Sequence, residues 1–252
     1  MTPNPILKAL SSMLTNGVRF MLIGGQACVF YGAAEFTRDL DLLLFVDGEN
    51  TDRLMAALKE LQCHPIAVPD FDAKLLKRGH AVHYRCEAPG VESLRIDLMA
   101  CLRSGDTFED LWARRTTIAG TDGSLHMLSI EDLVRAKKTQ RDKDWPMLAR
   151  LVSADYFAHA DAPEPWQIGF WLREARTTDI LIEMAGRFPS EAALLGGARP
   201  ALAAAILGDE DATRQALFDE EQAERKADKA YWEPLKRELE QMRHAKLRAA
   251  GN

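Results

Sequence analysis

Phe20-Met21-Leu22-Ile23-Gly24-Gly25-Gln26-Ala27, followed ten residues later by Arg38-Asp39-Leu40-Asp41-Leu42-Leu43-Leu44, is the stretch that decides how this chain folds. An apolar run meets a Gly-Gly pair, a short helical segment follows, and a second apolar run opens with two carboxylates. Strand side chains alternate between faces, so Asp39 and Asp41 project from one side while Leu40 and Leu42 point to the other, toward a core. Downstream, Leu94-Arg95-Ile96-Asp97-Leu98-Met99 repeats the alternation and sets Asp97 on the face opposite Ile96 and Leu98.

Two carboxylates at the mouth of a sheet repel unless a cation sits between them. Oxygen-only donors suit a hard ion such as Mg²⁺ or Mn²⁺, which keeps waters and takes substrate phosphates as further ligands. Glycines at 24 and 25 let the backbone approach a phosphate closely, and the helix that follows offers N–H groups to an anion. If the Asp97 strand lies beside the Asp39 strand, three carboxylates converge and can hold two cations that clamp the attacking and leaving oxygens of an in-line displacement. The expectation is a phosphoryl-transfer site with Asp39, Asp41 and Asp97 as catalytic metal ligands. The plain alternatives are an acidic pair flanking a turn for Asp39 and Asp41, and a salt bridge to Arg95 for Asp97. Arg38 either contacts a triphosphate or offsets the acidic charge beside it.

A Gly-Gly turn, Asp-x-Asp on a second strand and an isolated Asp on a later one resemble the nucleotidyltransferase superfamily with the DNA polymerase β-like fold. Ile130-Glu131-Asp132-Leu133-Val134-Arg135-Ala136-Lys137 with Arg141-Asp142-Lys143-Asp144 resembles, more narrowly, the bacterial AbiEii-type proteins, several of which are toxins of toxin–antitoxin or phage-defence pairs. The resemblance covers residues 18–150. It implies an α+β fold, a mixed sheet flanked by helices, and transfer of NMP from an NTP to a hydroxyl of a tRNA, a protein or a small molecule. It also implies nucleotide binding by Gly24, Gly25, Gln26, Arg38, Lys137, Arg141 and Lys143, with Asp144 bracing the site, and an antitoxin partner. The family turn commonly carries Ser after the two glycines; here Gln26 stands in its place, an amide that can also donate. The alternatives are a non-catalytic nucleotide-binding or regulatory module on the same fold and an antibiotic-modifying nucleotidyltransferase.

A chain of 252 residues, 47% hydrophobic and 28% charged, has the composition of a globular protein and can bury a substantial core. No apolar run approaches the roughly 20 residues of a membrane span, and the first residues lack the charged and apolar regions of a signal peptide, which points to the cytoplasm. The net charge of −6 disfavours indiscriminate nucleic-acid binding but allows a local basic groove. Cys28, Cys63, Cys86 and Cys101 lack Cys-x-x-Cys spacing and read as reduced and mostly buried. His80 and His83 would face opposite ways on a strand, which argues against zinc.

The periodicity predicts a helix over residues 5–15 closed by Asn16-Gly17, a strand over 18–23, a short helix over 26–34, and a helix capped by Thr51 after a loop at 47–50. Strands follow over 80–87 and 93–101, a short helix over 108–115, and a hairpin with Gly120-Thr121-Asp122-Gly123 at its tip. The pattern over 65–79 is weak, although Lys74, Lys77 and Arg78 form a basic cluster there. Ser129-x-x-Asp132 resembles a capping box at the start of the Lys137 helix. Beyond about residue 150 everything reads as helix: 166–176, 179–187, 191–207 and a long run from 211, in which 219–229 reads as a solvated face. The expected division is a nucleotidyltransferase domain at 1–150 and a helical domain at 151–252.

Overall fold

The structure is a computed structural model that describes residues 4–120 and 123–250. It is α+β: a mixed seven-stranded sheet with helices, followed by a helical region. Seven strands, β1 (Phe20–Leu22), β2 (Asp39–Leu44), β3 (His64–Pro65), β4 (Val82–Arg85), β5 (Arg95–Met99), β6 (Thr116–Gly120) and β7 (Gly123–Met127), lie in the order β3-β4-β5-β2-β1-β7-β6. β2 and β5 run parallel, as do β1 and β7, and the remaining neighbours are antiparallel. Thr121 and Asp122, the expected hairpin tip between β6 and β7, lie outside the described residues.

The chain divides into two compact units, one of residues up to 30, 34–133 and 232 onward, the other of residues 31–33 and 134–231. In the first, helix α1 (Pro5–Thr15) begins where Asn4 accepts a hydrogen bond from the Ile6 N–H, carries Pro at its first position, and buries Ile6, Ala9, Leu10 and Met13. It stops at Gly17, whose φ of +69° only glycine adopts without a steric cost. Helix α2 (Gly24–Phe30) starts at the glycine pair itself, two residues ahead of the expected start. Helix α3 (Gly48–Glu60) also begins early: Asp47, not Thr51, caps it by accepting from the Asn50 N–H at 2.7 Å. The Asn50 amide is buried and bridges Arg19 and Phe45, accepting from the Arg19 N–H and donating to both carbonyls.

Two short helices, α4 (Ala73–Lys77) and α5 (Phe108–Ala113), follow. In the sheet, Leu40, Leu42, Val82, Ile96 and Leu98 are fully buried on one face, which is the alternation the sequence predicts. At about 1.5–3 kcal/mol for each large apolar side chain removed from water, this face anchors the strands.

The second unit takes in the end of α6 (Ile130–Ala136), α7 (Asp144–His159), α8 (Pro165–Glu174), α9 (Thr178–Arg187), α10 (Pro189–Gly196), α11 (Pro200–Ile206) and α12 (Glu210–Ala250) as far as Tyr231. Proline opens α8, α10 and α11, where its missing N–H costs nothing. The expected helix over 191–207 is two helices, parted at Gly197-Ala198-Arg199. Arg199 is buried; it donates to the Leu172 and Ala175 carbonyls at the end of α8 and pairs with Glu220. The stretch 219–229 is therefore not a solvated face throughout: Glu220 also pairs with Arg176, and Asp228, 2% exposed, accepts from the Gln140 N–H. Among the described residues no helix is long and apolar enough to cross a membrane.

Candidate active site

The parallel register of β2 and β5 sets Asp41 opposite Asp97 and Asp39 opposite Arg95. Neighbouring strands lie about 4.8 Å apart, and directly paired residues share a face, so Asp39, Asp41, Arg95 and Asp97 project from the side opposite the Leu40, Leu42, Ile96 and Leu98 core. β4 adds His83, paired in register with Asp97. The sequence-predicted acids are thus brought onto one face of two adjacent strands, with His83 beside them on a third.

Asp97 and Asp41 already have protein partners. Asp97 Oδ1 accepts from Arg95 Nε at 2.7 Å and lies 2.8 Å from His83 Nδ1. A ring nitrogen carrying one proton cannot donate to Asp97 and accept from a guanidinium together, so with Nδ1 protonated the 3.1 Å approach of Arg95 Nη2 to that atom is a packing contact. Burial alone would raise the Asp97 carboxyl, but the His83 and Arg95 hydrogen bonds and charges outweigh it and hold the group below the usual carboxylate range. Arg95 is pushed above its ordinary value, first by its bond to Asp97 and against the effect of burial, with Asp39 and Asp41 adding to the attraction. One guanidinium therefore feels all three acids.

Asp41 leans the other way, toward the glycine pair. Its Oδ2 accepts from the Gly25 N–H at 3.3 Å. A Cβ on Gly24 would lie 2.0 Å from that same oxygen, and a Cβ on Gly25 would lie 2.6 Å from the Thr37 hydroxyl. The room left by the two missing side chains is taken by Asp41 and Thr37, a protein-internal use of the glycines that differs from the expected approach of a phosphate. Gln26 is buried at 8% exposure, and Arg38 is exposed on the approach to β2. Among the described residues no three His, Cys, Asp or Glu side chains are gathered tightly enough to hold a metal ion as they stand. The reason is visible in the partners: Asp97 is drawn toward β4 and Asp41 toward α2, so the expected cluster is laid out on one face without being closed. The donor set still fits a hard divalent cation, being three carboxylates on adjacent strands with one of them seated in a cradle that any Cβ at position 24 would fill.

Of the basic residues expected to meet the phosphates, Arg38 belongs to the first unit and Lys137, Arg141 and Lys143 to the second. Lys137 lies one residue beyond the end of α6, its side chain only 11% exposed, with Nζ 3.2 Å from Asp144 Oδ1. Asp144 also accepts from the Thr139 hydroxyl at 2.6 Å and Arg141 Nε at 2.7 Å. Burial would raise the Asp144 carboxyl, but Lys137, Thr139 and Arg141 hold it below its usual range. Asp144 thus ties Lys137, Thr139 and Arg141 together, while Lys143 is exposed at the start of α7. Of the upstream basic cluster, Arg78 pairs with Glu238, and the buried His80 shares that partner at 2.8 Å.

Sequence reasoning missed His83 and Thr37 as site residues. His83 stood out only for a zinc spacing, and its partner Asp97 is fourteen residues away. Thr37 carried no signal beyond its position before the acids.

No protein-family profile matches the chain, and no curated protein matches it. Among solved structures it is similar to JHP933 from Helicobacter pylori, with 16% identity, 98% of this chain and 95% of that chain covered and a TM-score of 0.41. It is also similar to an H. pylori protein described as a candidate nucleotidyltransferase, with 16% identity, coverage of 89% and 94% and a TM-score of 0.40. An antigenic nucleotidyltransferase-like protein from Paracoccidioides brasiliensis follows at 19% identity, coverage of 80% and 92% and a TM-score of 0.39. Likeness at that level is distant and decides nothing about chemistry.

Proposed function

We propose that this protein is a Mg²⁺- or Mn²⁺-dependent nucleotidyltransferase that moves NMP from an NTP to a hydroxyl acceptor on a tRNA, a protein or a small molecule. The observation that carries the reading is the register of Asp41 beside Asp97, with Asp39 two residues earlier on the same face. Asp39, Asp41 and Asp97 would hold the metal. When bound, the ion neutralises phosphate charge and stabilises the attacking and leaving oxygens.

In the reaction the acceptor oxygen forms a bond to the α-phosphorus, the bond to the bridging oxygen breaks, and pyrophosphate leaves. The hydroxyl proton must go to a base, and Asp97, kept ionised by His83 and Arg95, enters in base form. His83 and Arg95 are positioning residues: they fix the rotamer and charge of Asp97. Lys137, Arg141 and Lys143 are the phosphate-binding candidates of the second unit, and for Lys137 this requires the Asp144 pair to loosen.

Incubation with each α-phosphate-labelled NTP, Mg²⁺ and a mixture of tRNA and cell protein tests the proposal. Label should appear on an acceptor with the wild type and vanish with Asp41→Asn. The same internal bonding that orders the acids favours a second reading, a nucleotide-binding or regulatory module without turnover. That reading predicts saturable NTP binding with no label transferred to any acceptor. A toxin role within this proposal predicts growth arrest on induction of the wild type and normal growth with Asp41→Ala.

A further inference from the structure

Cys63 and Cys86 carry free thiols whose Sγ atoms lie 3.0 Å apart. They are cross-strand neighbours: β3 sets His64 opposite Arg85 and Pro65 opposite Tyr84, so one further step along the antiparallel ladder brings Cys63 opposite Cys86. Both backbones are pinned there. The Cys86 N–H donates to the Leu94 carbonyl at 2.9 Å, its own carbonyl accepts from the Ser93 N–H at 2.9 Å, and the Cys63 N–H donates to the Leu58 carbonyl at 2.8 Å. The two sulfurs therefore face one another by the register of the sheet edge rather than by a chance of rotamers.

Their exposures differ. Cys86 is fully buried on the core face with Val82 and Tyr84, while Cys63 is partly exposed. Of the two, Cys63 is therefore the residue nearer to solvent. A thiolate metal site is the competing use of paired cysteines, but among the described residues no third ligating side chain joins them.

We propose that Cys63 and Cys86 form an oxidation site that closes to an intramolecular disulfide when the protein meets a small-molecule disulfide oxidant. One sulfur of the pair, as its thiolate, attacks one sulfur of the oxidant and expels one thiolate, leaving a mixed disulfide on the protein. The neighbouring thiol, losing its proton, attacks the protein sulfur of that mixed disulfide and expels the second thiolate. Two protein S–H bonds are lost, one S–S bond is formed, and the oxidant is reduced to two thiols that carry away both protons. The ring so closed contains β4, whose opposite face carries His83 and, through it, the position of Asp97. The cross-link itself lies on the core side and touches none of the three acids.

The intact chain is exposed to oxidised glutathione, its remaining thiols are blocked with N-ethylmaleimide, and it is digested with trypsin without reductant. Peptides 60–74 and 86–95 should appear joined by a disulfide, with two of the four cysteines consumed together and Cys28 and Cys101 blocked. Cys63→Ser should abolish the link and Cys101→Ser should leave it. The wild type alone gives a second test: the link should form at least tenfold faster in the folded chain than in urea. A glutathione adduct that persists on Cys63, blocked Cys63 and Cys86, links shared with Cys28 or Cys101, or equal rates in urea would each overturn the proposal.

Discussion

Replacing Gly24 by Ala puts a methyl group into space that Asp41 holds. The new Cβ would lie 2.0 Å from Asp41 Oδ2, 2.5 Å from its Cγ and 2.7 Å from its Cβ. Rotation of the Asp41 side chain could relieve the first two contacts. It cannot relieve the third, because that atom is fixed to the backbone of β2, whose Leu40 and Leu42 are fully buried on the other face. Either the strand or the turn must move. Gly24 also has a φ of +65°, where a residue with a Cβ costs about 1–2 kcal/mol. Overpacking of a close-fitted site adds about 1–3 kcal/mol, so the substitution should cost about 2–5 kcal/mol in all. For a chain of this size each kcal/mol corresponds to about 2–4 °C in Tm.

Urea unfolding followed by circular dichroism measures the loss, and a double-mutant cycle assigns it. Asp41→Gly removes all three crowded atoms, so Gly24→Ala in that background should cost about 1–3 kcal/mol less than in the wild type, the range expected for residues in contact. A Gly24→Ala protein within about 0.5 kcal/mol of the wild type, an ordinary surface value, would refute the packing argument. An undiminished cost in the Asp41→Gly background would leave only the backbone conformation and remove Asp41 from the account.

Three further outcomes follow from the same geometry. His83→Ala frees Asp97 from one of its two partners, and Mn²⁺ titration by calorimetry should show affinity falling about 10–100-fold, the usual effect of losing a hydrogen bond behind a ligand; unchanged affinity counts against Asp97 as a ligand. Because the folded-state value of Asp97 is depressed, its stabilising contribution is full above the unfolded value of about 3.9 and is lost as pH falls through the folded value; the acid limb of unfolding in Asp97→Asn should accordingly be shallower below about pH 4, and an identical limb would contradict the assignment. Lys137→Met strands the buried Asp144 charge and should cost about 3–5 kcal/mol in chemical denaturation, whereas Arg141→Ala, at a half-exposed guanidinium, should cost under about 1 kcal/mol; equal losses would mean Asp144 does not depend on the buried lysine.

Where an element is long enough to repeat its period, the chain states it openly. The 5–15 helix was legible because Asn16 and Gly17 mark its end while Ile6, Leu10 and Met13 mark its buried face. β2 and β5 were legible because carboxylates alternate with leucines and isoleucine. β3 has two residues, too few to show any period. The start of α3 was obscured by Gly48 and Asn50, which read as turn residues until the Asn50 amide is seen bridging two backbone segments from inside. The break between α10 and α11 was signalled by Gly197 and Pro200, but continuous apolar spacing on both sides hid it.

The candidate site was legible to the same depth and no further, and the limit has a physical cause. Alternation fixes which face a side chain leaves from, and pairing register then decides which residues meet; the first is local in sequence, the second is not. Asp41 and Asp97 were placed on matching faces by their own neighbours, but only the register joins them. What alternation cannot carry is the direction in which a carboxylate turns once it is there. That is decided by His83 and Arg95 for Asp97, and by the absence of a side chain at position 24 for Asp41. The same holds for 219–229, where a mixed-charge pattern suggested solvent although Arg176 and Arg199, in the connections between other helices, pair with Glu220. A glycine pair that looked like a place for a phosphate is, by the same reasoning, first a place for Asp41. The comparison of Gly24→Ala with and without Asp41→Gly separates that packing role of the glycine from any part it plays in the proposed transfer.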